Sequence, residues 1–370
     1  MEPLNQQKKI SLFKGDKIIL IVVIFLFSIS ILGVYSNTMG SLVSTIFAAV
    51  LGLACMVGVS FISYQWISRF ALLGLFVALG LLLISLFYPS GGDLDADLKG
   101  RAIKIGGFTF QTFYLIGFLV IFFVSKVLAT RLAHQEELSK QDNIMLLVVV
   151  LGFCAGMAWK NVSTALILFI TCAVILFIGR MQRKYILTLF ILGICGAGLY
   201  FMTGVGRGST FNHRVHYYIT EDNTDDYGEQ TILAKAAIAR SGVLPAGPGN
   251  GLIKNELGQN DTDYIYASIF EELGLVFGFL ILGSYIVLFY RSWKIACRSD
   301  GPFGLLLALG IGFWVASQAL IHIGVNCELL PATGQTLPFI SRGTASTIVS
   351  SIAMGIVLNV GKTAKIQEEI

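Results

Sequence analysis

Unbroken apolar runs, rather than alternation of apolar and polar residues, organise this chain. They cover 17–36, 42–62, 69–88, 112–131, 144–159, 163–179, 185–204, 266–290, 303–325 and 344–361. A helix needs about 20 apolar residues to cross a bilayer, and continuous runs favour helices over the alternating strands of a barrel. The pattern predicts an all-α polytopic membrane protein of about ten transmembrane helices, organised as a single domain over 1–370. The fifth and sixth runs are short and close together, as in a hairpin broken at Lys160-Asn161-Val162.

Three long polar stretches separate the runs, at 89–111, 205–265 and 326–343. The largest lies between the seventh and eighth spans and is rich in Gly, Asn, Asp and Tyr. Within it, Gly228–Arg240 reads as a short amphipathic helix lying on the membrane. No internal repeat stands out, so the inverted-repeat pattern of many transporters is not visible.

Composition agrees with a bilayer solvent. The 370 residues are 55% hydrophobic and 13% charged, against about 25% charged in a soluble domain, and the mean hydropathy is +0.77. The first run follows Lys8, Lys9, Lys14 and Lys17 and has no small-residue cleavage site. It reads as a retained first helix with a cytoplasmic N-terminus. Ten spans then bring the C-terminus to the cytoplasm as well. More than half of the 26 Lys and Arg fall on that side, most of the 22 Asp and Glu fall outside, and Lys126 lies within the fourth span. The reading is a cytoplasmic (inner) membrane protein whose chemistry faces outward. The six cysteines have neither metal-ligand spacing nor an obvious disulfide partner and read as small buried hydrophobes.

The glycine-rich stretch Gly242-Val-Leu-Pro-Ala-Gly-Pro-Gly-Asn-Gly251, with Gly247 and Gly249 at its centre, admits two readings. It is a flexible turn, or a loop whose backbone N–H groups approach a phosphate. It lacks the Lys-Ser/Thr ending of a P-loop and follows no strand. Asp263 sits where the large loop meets the eighth span, with Glu271 and Glu272 one or two turns inside the apolar run. Ionisable groups at that depth are costly and face a cavity or a partner. A partly desolvated Asp263 is a better general base. The alternative is that Asp263 caps the eighth helix while the glutamates pair with external arginines.

The third stretch, Leu330 to Thr347, combines Pro331, Gly334, Pro338 and Gly343 with many hydroxyls. Such non-helical backbone at a membrane boundary must be buried in protein or line a wet cavity. Arg342 is its one basic residue, suited to a bidentate phosphate contact or to an ion pair with Glu328. Arg101 and Lys104 in the first stretch, with Arg207, Arg214, Lys235, Arg240 and Lys254 in the second, supply enough external cations to hold a pyrophosphate. Each alone is equally explained as solvated loop surface.

These motifs resemble the SEDS family (shape, elongation, division and sporulation) over nearly the whole chain. The most specific is Pro331-Ala-Thr-Gly-Gln-Thr-Leu-Pro-Phe-Ile-Ser-Arg-Gly-Thr-Ala-Ser346, similar to the family's P-x-T-G-x-x-L-P-F/L-I/V-S-x-G-G-S/T-S and containing Thr333 and Ser341. Gly247-Pro-Gly-Asn250, Asp263-Tyr-Ile-Tyr-Ala267 and Glu271-Glu-Leu-Gly274 resemble its G-x-G, D-F-I-F/Y-A and E-E-L/Y-G. Asn161-Val-Ser-Thr-Ala165 is similar to a family hairpin tip, and Gln318 with Asn326 to a further polar pair. Lys14-Gly-Asp-Lys17 and Val34-Tyr-Ser36 look like the FtsW-type members of Bacteroidetes-like bacteria, which favours that branch over the RodA type. The chain departs from the family at Arg101-Ala102, where an R-W is usual, at Gln111-Thr-Phe-Tyr114, in place of Q-P-S-E, and at Gly343-Thr-Ala-Ser346.

The resemblance implies a peptidoglycan glycosyltransferase that polymerises lipid II into β-1,4 glycan strands, with Asp263 as the essential aspartate. It further implies substrate contacts among Gly247, Gly249, Glu271, Glu272, Gln318, Thr333 and Ser341. Arg101, Lys254, Arg342 or a divalent cation (Mg or Mn) would hold the leaving pyrophosphate. The implied partners are lipid II, the growing glycan on undecaprenyl pyrophosphate, a class B penicillin-binding protein and other division proteins, with no nucleic acid. Two competing functions are a lipid II flippase and a non-catalytic divisome scaffold. Ionisable residues clustered at one membrane boundary favour a one-sided enzyme over a flippase.

Overall fold

In a computed structural model of the chain, the structure describes residues 15–37, 39–87, 103–105, 108–203, 214–216, 218, 226–258 and 260–368. The apolar runs are helices: α1 (Lys17–Asn37), α2 (Met39–Val59), the short α3 (Tyr64–Ile67) leading through a 3-10 turn into α4 (Ala71–Phe87), α5 (Thr112–Ala133), α6 (Lys140–Ala158), α7 (Val162–Ile178) and α8 (Arg183–Thr203). After α9 (Asp226–Arg240) come α10 (Ile265–Cys297), α11 (Pro302–Asn326) and α12 (Thr344–Glu368). Among the described residues nine helical stretches are long and apolar enough to cross a membrane, and α7 is a shorter apolar helix between them. The chain is a multi-pass membrane protein. Described β structure is limited to the antiparallel pair β1 (Ile103–Ile105) and β2 (Phe108–Phe110), with Lys104 opposite Thr109.

Local chemistry sets several boundaries. Ser139 and Asp142 form a reciprocal capping box at the start of α6. Asn161 breaks the α6–α7 hairpin at the expected place and caps α7, its Oδ1 accepting from Thr164 N at 3.2 Å. Asp16 accepts from Ile18 N at 2.9 Å at the start of α1 and from Arg291 Nε at 2.8 Å, tying α1 to the end of α10.

The helices divide into a centre and a periphery. In α5 78% of the spanning window is buried in protein, and in the Thr344–Thr363 part of α12 83%, against 6% in α8 and 28% in α2. Lipid is as apolar as leucine, so helix association in a bilayer relies on close packing rather than on expelling water. The α2–α12 contact illustrates this: a Cβ at Gly355 would stand 2.6 Å from the backbone oxygen of Met56. The α10–α11 pair packs most extensively, and α11 also contacts α5, α7 and α12.

Helix α10 has 33 residues, about 50 Å at 1.5 Å per residue, well beyond a hydrocarbon core of about 30 Å. It is broken at Gly274, whose φ of 81° and ψ of 178° interrupt the helical ladder. The expected eighth span, 266–290, is therefore a buried arm, 265–273, followed by a longer apolar segment. The arm faces protein throughout, and every residue from Ile265 to Gly274 is buried.

Candidate active site

Asp263 stands immediately before this arm and is half-buried. It does not cap the helix: Tyr264 occupies the N-cap position and offers no side-chain cap. The capping group comes from α11. Asn326 Oδ1 accepts from Ala267 N at 3.0 Å, while its Nδ2 donates to Asp263 O at 3.0 Å and to His322 O at 2.9 Å. One buried amide thus fixes both the arm's first turn and the backbone of Asp263. Leaving such groups unpaired would cost about 1–3 kcal/mol each.

Behind Asp263, two carboxylates organise the glycine-rich loop. Glu271 and Glu272 are 4% and 2% exposed. Glu271 accepts from the backbone N–H groups of Leu252, Ile253 and Lys254 at 3.0, 3.1 and 3.0 Å. Glu272 accepts from Gly249 N at 2.9 Å, and its backbone oxygen takes Gly247 N at 3.0 Å. Gly247 and Gly249 have φ of 97° and 88°, so these donors turn inward in a conformation that only glycine adopts readily. The Gly274 break completes the dock, with Leu275 N donating to Gly242 O at 3.0 Å. A cradle for an anion has formed, and the anions are the protein's own side chains.

The neutralising cation is Lys254, 1% exposed, which pairs with Glu272 and donates to Ser36 O at 2.9 Å. Ser36 Oγ bonds both Glu272 and Lys254. The pairing with external arginines is thus corrected for Glu272, whose partner is a lysine. Glu271 is held mainly by backbone donors, with Arg240 Nε at 4.0 Å. A buried ion pair is costly unless its remaining lone pairs are filled, and here backbone N–H groups and a hydroxyl fill them.

Ahead of Asp263, the 335–341 half of the 326–343 segment runs through protein, while 327–334 is half-buried or exposed. Gln335, Thr336, Leu337, Phe339, Ile340 and Ser341 are all buried. Tyr114 of α5 accepts from Thr336 N at 3.1 Å. Gln335 Nε2 donates to Thr164 Oγ1 at 2.7 Å, and Ser30 of α1 donates to Ile340 O at 2.7 Å. Ser341 Oγ accepts from Leu337 N at 2.7 Å and donates to Thr262 O at 2.9 Å, one residue from Asp263. Ser341 therefore positions the loop. Arg342 pairs with Asp261 at 2.9 Å, and Glu328 pairs with Lys235 at 2.6 Å, so the Arg342–Glu328 pairing does not form.

Between these walls Asp263 lines a cleft of about 50 Å³ with Arg214, Gln230, His322 and Thr333. That space holds a few waters or a phosphoryl group, given the 10–15 Å³ or so that one water-sized probe needs. Arg214 is buried and donates through Nη1 to Ala332 O at 3.2 Å. His322 Nδ1 lies 2.7 Å from Gln335 O, so Nδ1 carries the proton and Nε2 is an acceptor. That Nε2 and Thr333 Oγ1 are buried without a hydrogen-bond partner among the described residues. Helix α9 closes the back through Ala234 and Ala237, packed with Leu257, Tyr264 and Ala267.

The cleft thus unites Asp263 and Thr333 but not the other expected contacts. Arg101 lies outside the described residues. Lys254, Gly247, Gly249, Glu271 and Glu272 face one another instead, and Arg342 is not part of the lining but pairs with Asp261, its side chain 49% exposed. Gln318, buried two turns deeper in α11 with Nε2 unpartnered among the described residues, is not part of the lining. Sequence reasoning counted Arg214 only as one external cation among several and missed His322, although a histidine one turn from Asn326 in an apolar run was a visible signal. Among the described residues no group of three or more His, Cys, Asp or Glu side chains is placed to hold a metal ion.

The chain matches the FtsW/RodA/SpoVE family, described as cell cycle protein, over residues 10–366. It belongs to this family. A probable peptidoglycan glycosyltransferase FtsW of Trichlorobacter lovleyi is 29% identical, over 97% of this chain and 96% of the relative. One from Geobacter metallireducens is 30% identical over 86% and 84%. Stage V sporulation protein E of Bacillus subtilis is 29% identical over 71% of each chain. Two solved structures share the fold. A chain of a peptidoglycan synthase complex that coordinates polymerisation and crosslinking superposes with a TM-score of 0.74 at 20% identity, covering 95% of this chain and 98% of that one. The rod shape determining protein RodA of Thermus thermophilus superposes with a TM-score of 0.66 at 18% identity, covering 94% and 96%.

Proposed function

We propose that this chain is a peptidoglycan glycosyltransferase that polymerises lipid II at the outer face of the cytoplasmic membrane during cell division. The observation that carries the proposal is the cleft itself. An aspartate on a rigid, externally capped arm shares a small cavity with a buried arginine, in a chain whose relatives bear the name peptidoglycan glycosyltransferase. The sugar rings lie across the mouth of the cleft, which is too small to enclose them.

In the reaction, Asp263 takes the proton from the 4-hydroxyl of the acceptor's GlcNAc as that oxygen attacks the anomeric carbon of the growing strand. The bond to the undecaprenyl pyrophosphate breaks as the glycosidic bond forms. The leaving group departs with its electron pair, and one displacement turns the α linkage into β. General base assistance contributes about 10²–10⁴-fold. Arg214 stabilises the departing pyrophosphate, with the half-exposed Arg342 as its second contact. His322 Nε2 and Thr333 Oγ1 offer an acceptor and a hydroxyl to the bound sugar. Lys254, Glu271, Glu272, Gly247 and Gly249 position the arm rather than touching substrate, and no step is assigned to a metal ion. Both termini lie in the cytoplasm. A class B penicillin-binding protein and other division proteins are the partners, in keeping with the likeness to a peptidoglycan synthase complex.

The test is purified protein supplied with labelled lipid II in vesicles. Glycan polymer that disappears in Asp263→Ala, with the unfolding temperature preserved, supports the enzyme. Lipid II scrambled across the vesicle without polymer would establish a flippase instead. Folded, partner-binding protein with neither activity would leave a scaffold.

A further inference from the structure

At the end of the bundle opposite Asp263, a cleft of about 300 Å³ opens between α3, the last two turns of α5 and the start of α11. Lys126 reaches it from inside the α5 span. An ammonium at such a position is costly and normally finds a partner. Its neighbour Arg131 has two, Glu136 and Asp142, each at 2.9 Å. Among the described residues Lys126 has no carboxylate or other hydrogen-bond acceptor for its ammonium. Its contact is with the ring of Phe303, 5.7 Å from the centroid. Phe303 is itself fixed, stacked on Tyr64 at 5.9 Å and edge-on to Phe122 at 5.5 Å, so the cation stands against a rigid aromatic wall.

The rest of the lining mixes small apolar residues such as Ala129 and Ala133 with polar ones. The Thr130 and Ser68 hydroxyls donate to Lys126 O at 2.9 Å and Gln65 O at 2.7 Å, Gln65 adds an amide and His134 an imidazole, and the exposed Asp300 stands beside Gly301. Depth is marked from outside. Trp66, 53% exposed, packs edge-on with Phe70 at 5.0 Å on the outer side of the same turn, and exposed aromatic residues of this kind sit at the headgroup level of a bilayer. The cleft therefore opens at the height of phosphates rather than acyl chains or bulk water.

We propose that this cleft binds the headgroup of an anionic phospholipid from the leaflet facing away from Asp263. Its phosphate would neutralise Lys126. Asp300 and Gln65 then select a headgroup carrying its own hydroxyls, such as glycerol, because an exposed carboxylate repels a bare anion but accepts from an alcohol. Basic pockets between spanning helices hold acidic lipid headgroups in this way. The site shares no residue with the Asp263 cleft.

Full-length protein in a neutral detergent, offered phosphatidylglycerol or phosphatidylcholine of the same acyl chains, tests this by native mass spectrometry. One phosphatidylglycerol should survive detergent removal preferentially. Lys126→Met should lower that adduct roughly fivefold, and Lys126→Arg should keep it. Equal retention of both lipids by the wild type would overturn the proposal, a comparison that needs no variant. So would an undiminished phosphatidylglycerol adduct in folded Lys126→Met. Complete displacement of the lipid by inorganic phosphate would make this a free-anion site and count against a lipid.

Discussion

The two sides of Asp263 are built from similar sequence and do opposite things. Behind it, a glycine-rich loop turns its N–H groups toward anions that the protein supplies, Glu271 and Glu272, with Lys254 and Ser36 completing the charge balance. In front, the Pro- and Gly-rich 326–343 segment spends most of its polar groups on its own path through the bundle, yet leaves His322 Nε2 and Thr333 Oγ1 without a partner among the described residues, beside Arg214. A loop that can cradle an anion is thus a structural clip when a buried carboxylate reaches it first. Ligand chemistry belongs where buried polar groups are gathered and not yet satisfied.

Breaking the rear side should cost the most. Glu272→Ala leaves a buried lysine without its counter-charge, and chemical or thermal unfolding should show a loss of about 3–5 kcal/mol. Adding Lys254→Met should recover most of it, since replacing a whole buried pair by an apolar group is far milder. A double variant no better than the single one would mean the pair is not the source of the effect. Gly274→Ala comes next. At φ 81° its new Cβ would meet Gly242 O at 2.9 Å, a strain of about 1–3 kcal/mol, and amide exchange should rise across 242–252 before it rises in α11.

On the front side the readout is turnover. Arg214→Met should slow polymerisation about tenfold or more, the worth of a charged hydrogen bond, while moving the unfolding temperature far less than Glu272→Ala does. The smallest effect is expected at Arg342. The exposed Arg342–Asp261 pair contributes at most about 1 kcal/mol, so Arg342→Ala should leave stability nearly unchanged and cost less turnover than Arg214→Met. A reversed order of the two arginines would move the phosphate out of the cleft and onto Arg342.

Much of this is legible in the amino-acid sequence. Hydropathy alone located α1, α5 and α11 to within a residue or two, because crossing a bilayer demands a long apolar stretch whatever its neighbours do. The same cost flagged Glu271 and Glu272 as charges in need of an explanation, and the mixture of Pro, Gly and hydroxyls from Leu330 onward announced an irregular segment buried in protein or lining a wet cavity. Pairings were not readable. External arginines were the expected partners of the glutamates and Glu328 that of Arg342, whereas Lys254 pairs with Glu272 and Asp261, 81 residues away, with Arg342.

What the amino-acid order determined by itself is which residues enter the bilayer and which polar groups there must be answered, since solvation is a property of each segment taken alone. Tertiary structure decided the answers: Ser36 and Lys254 for Glu272, Asn326 for the arm beneath Asp263, Arg214 for the cleft. Those choices depend on hydrogen bonds between groups as many as 236 residues apart, and no local period encodes them. They follow from how the helices pack and from a backbone break at Gly274.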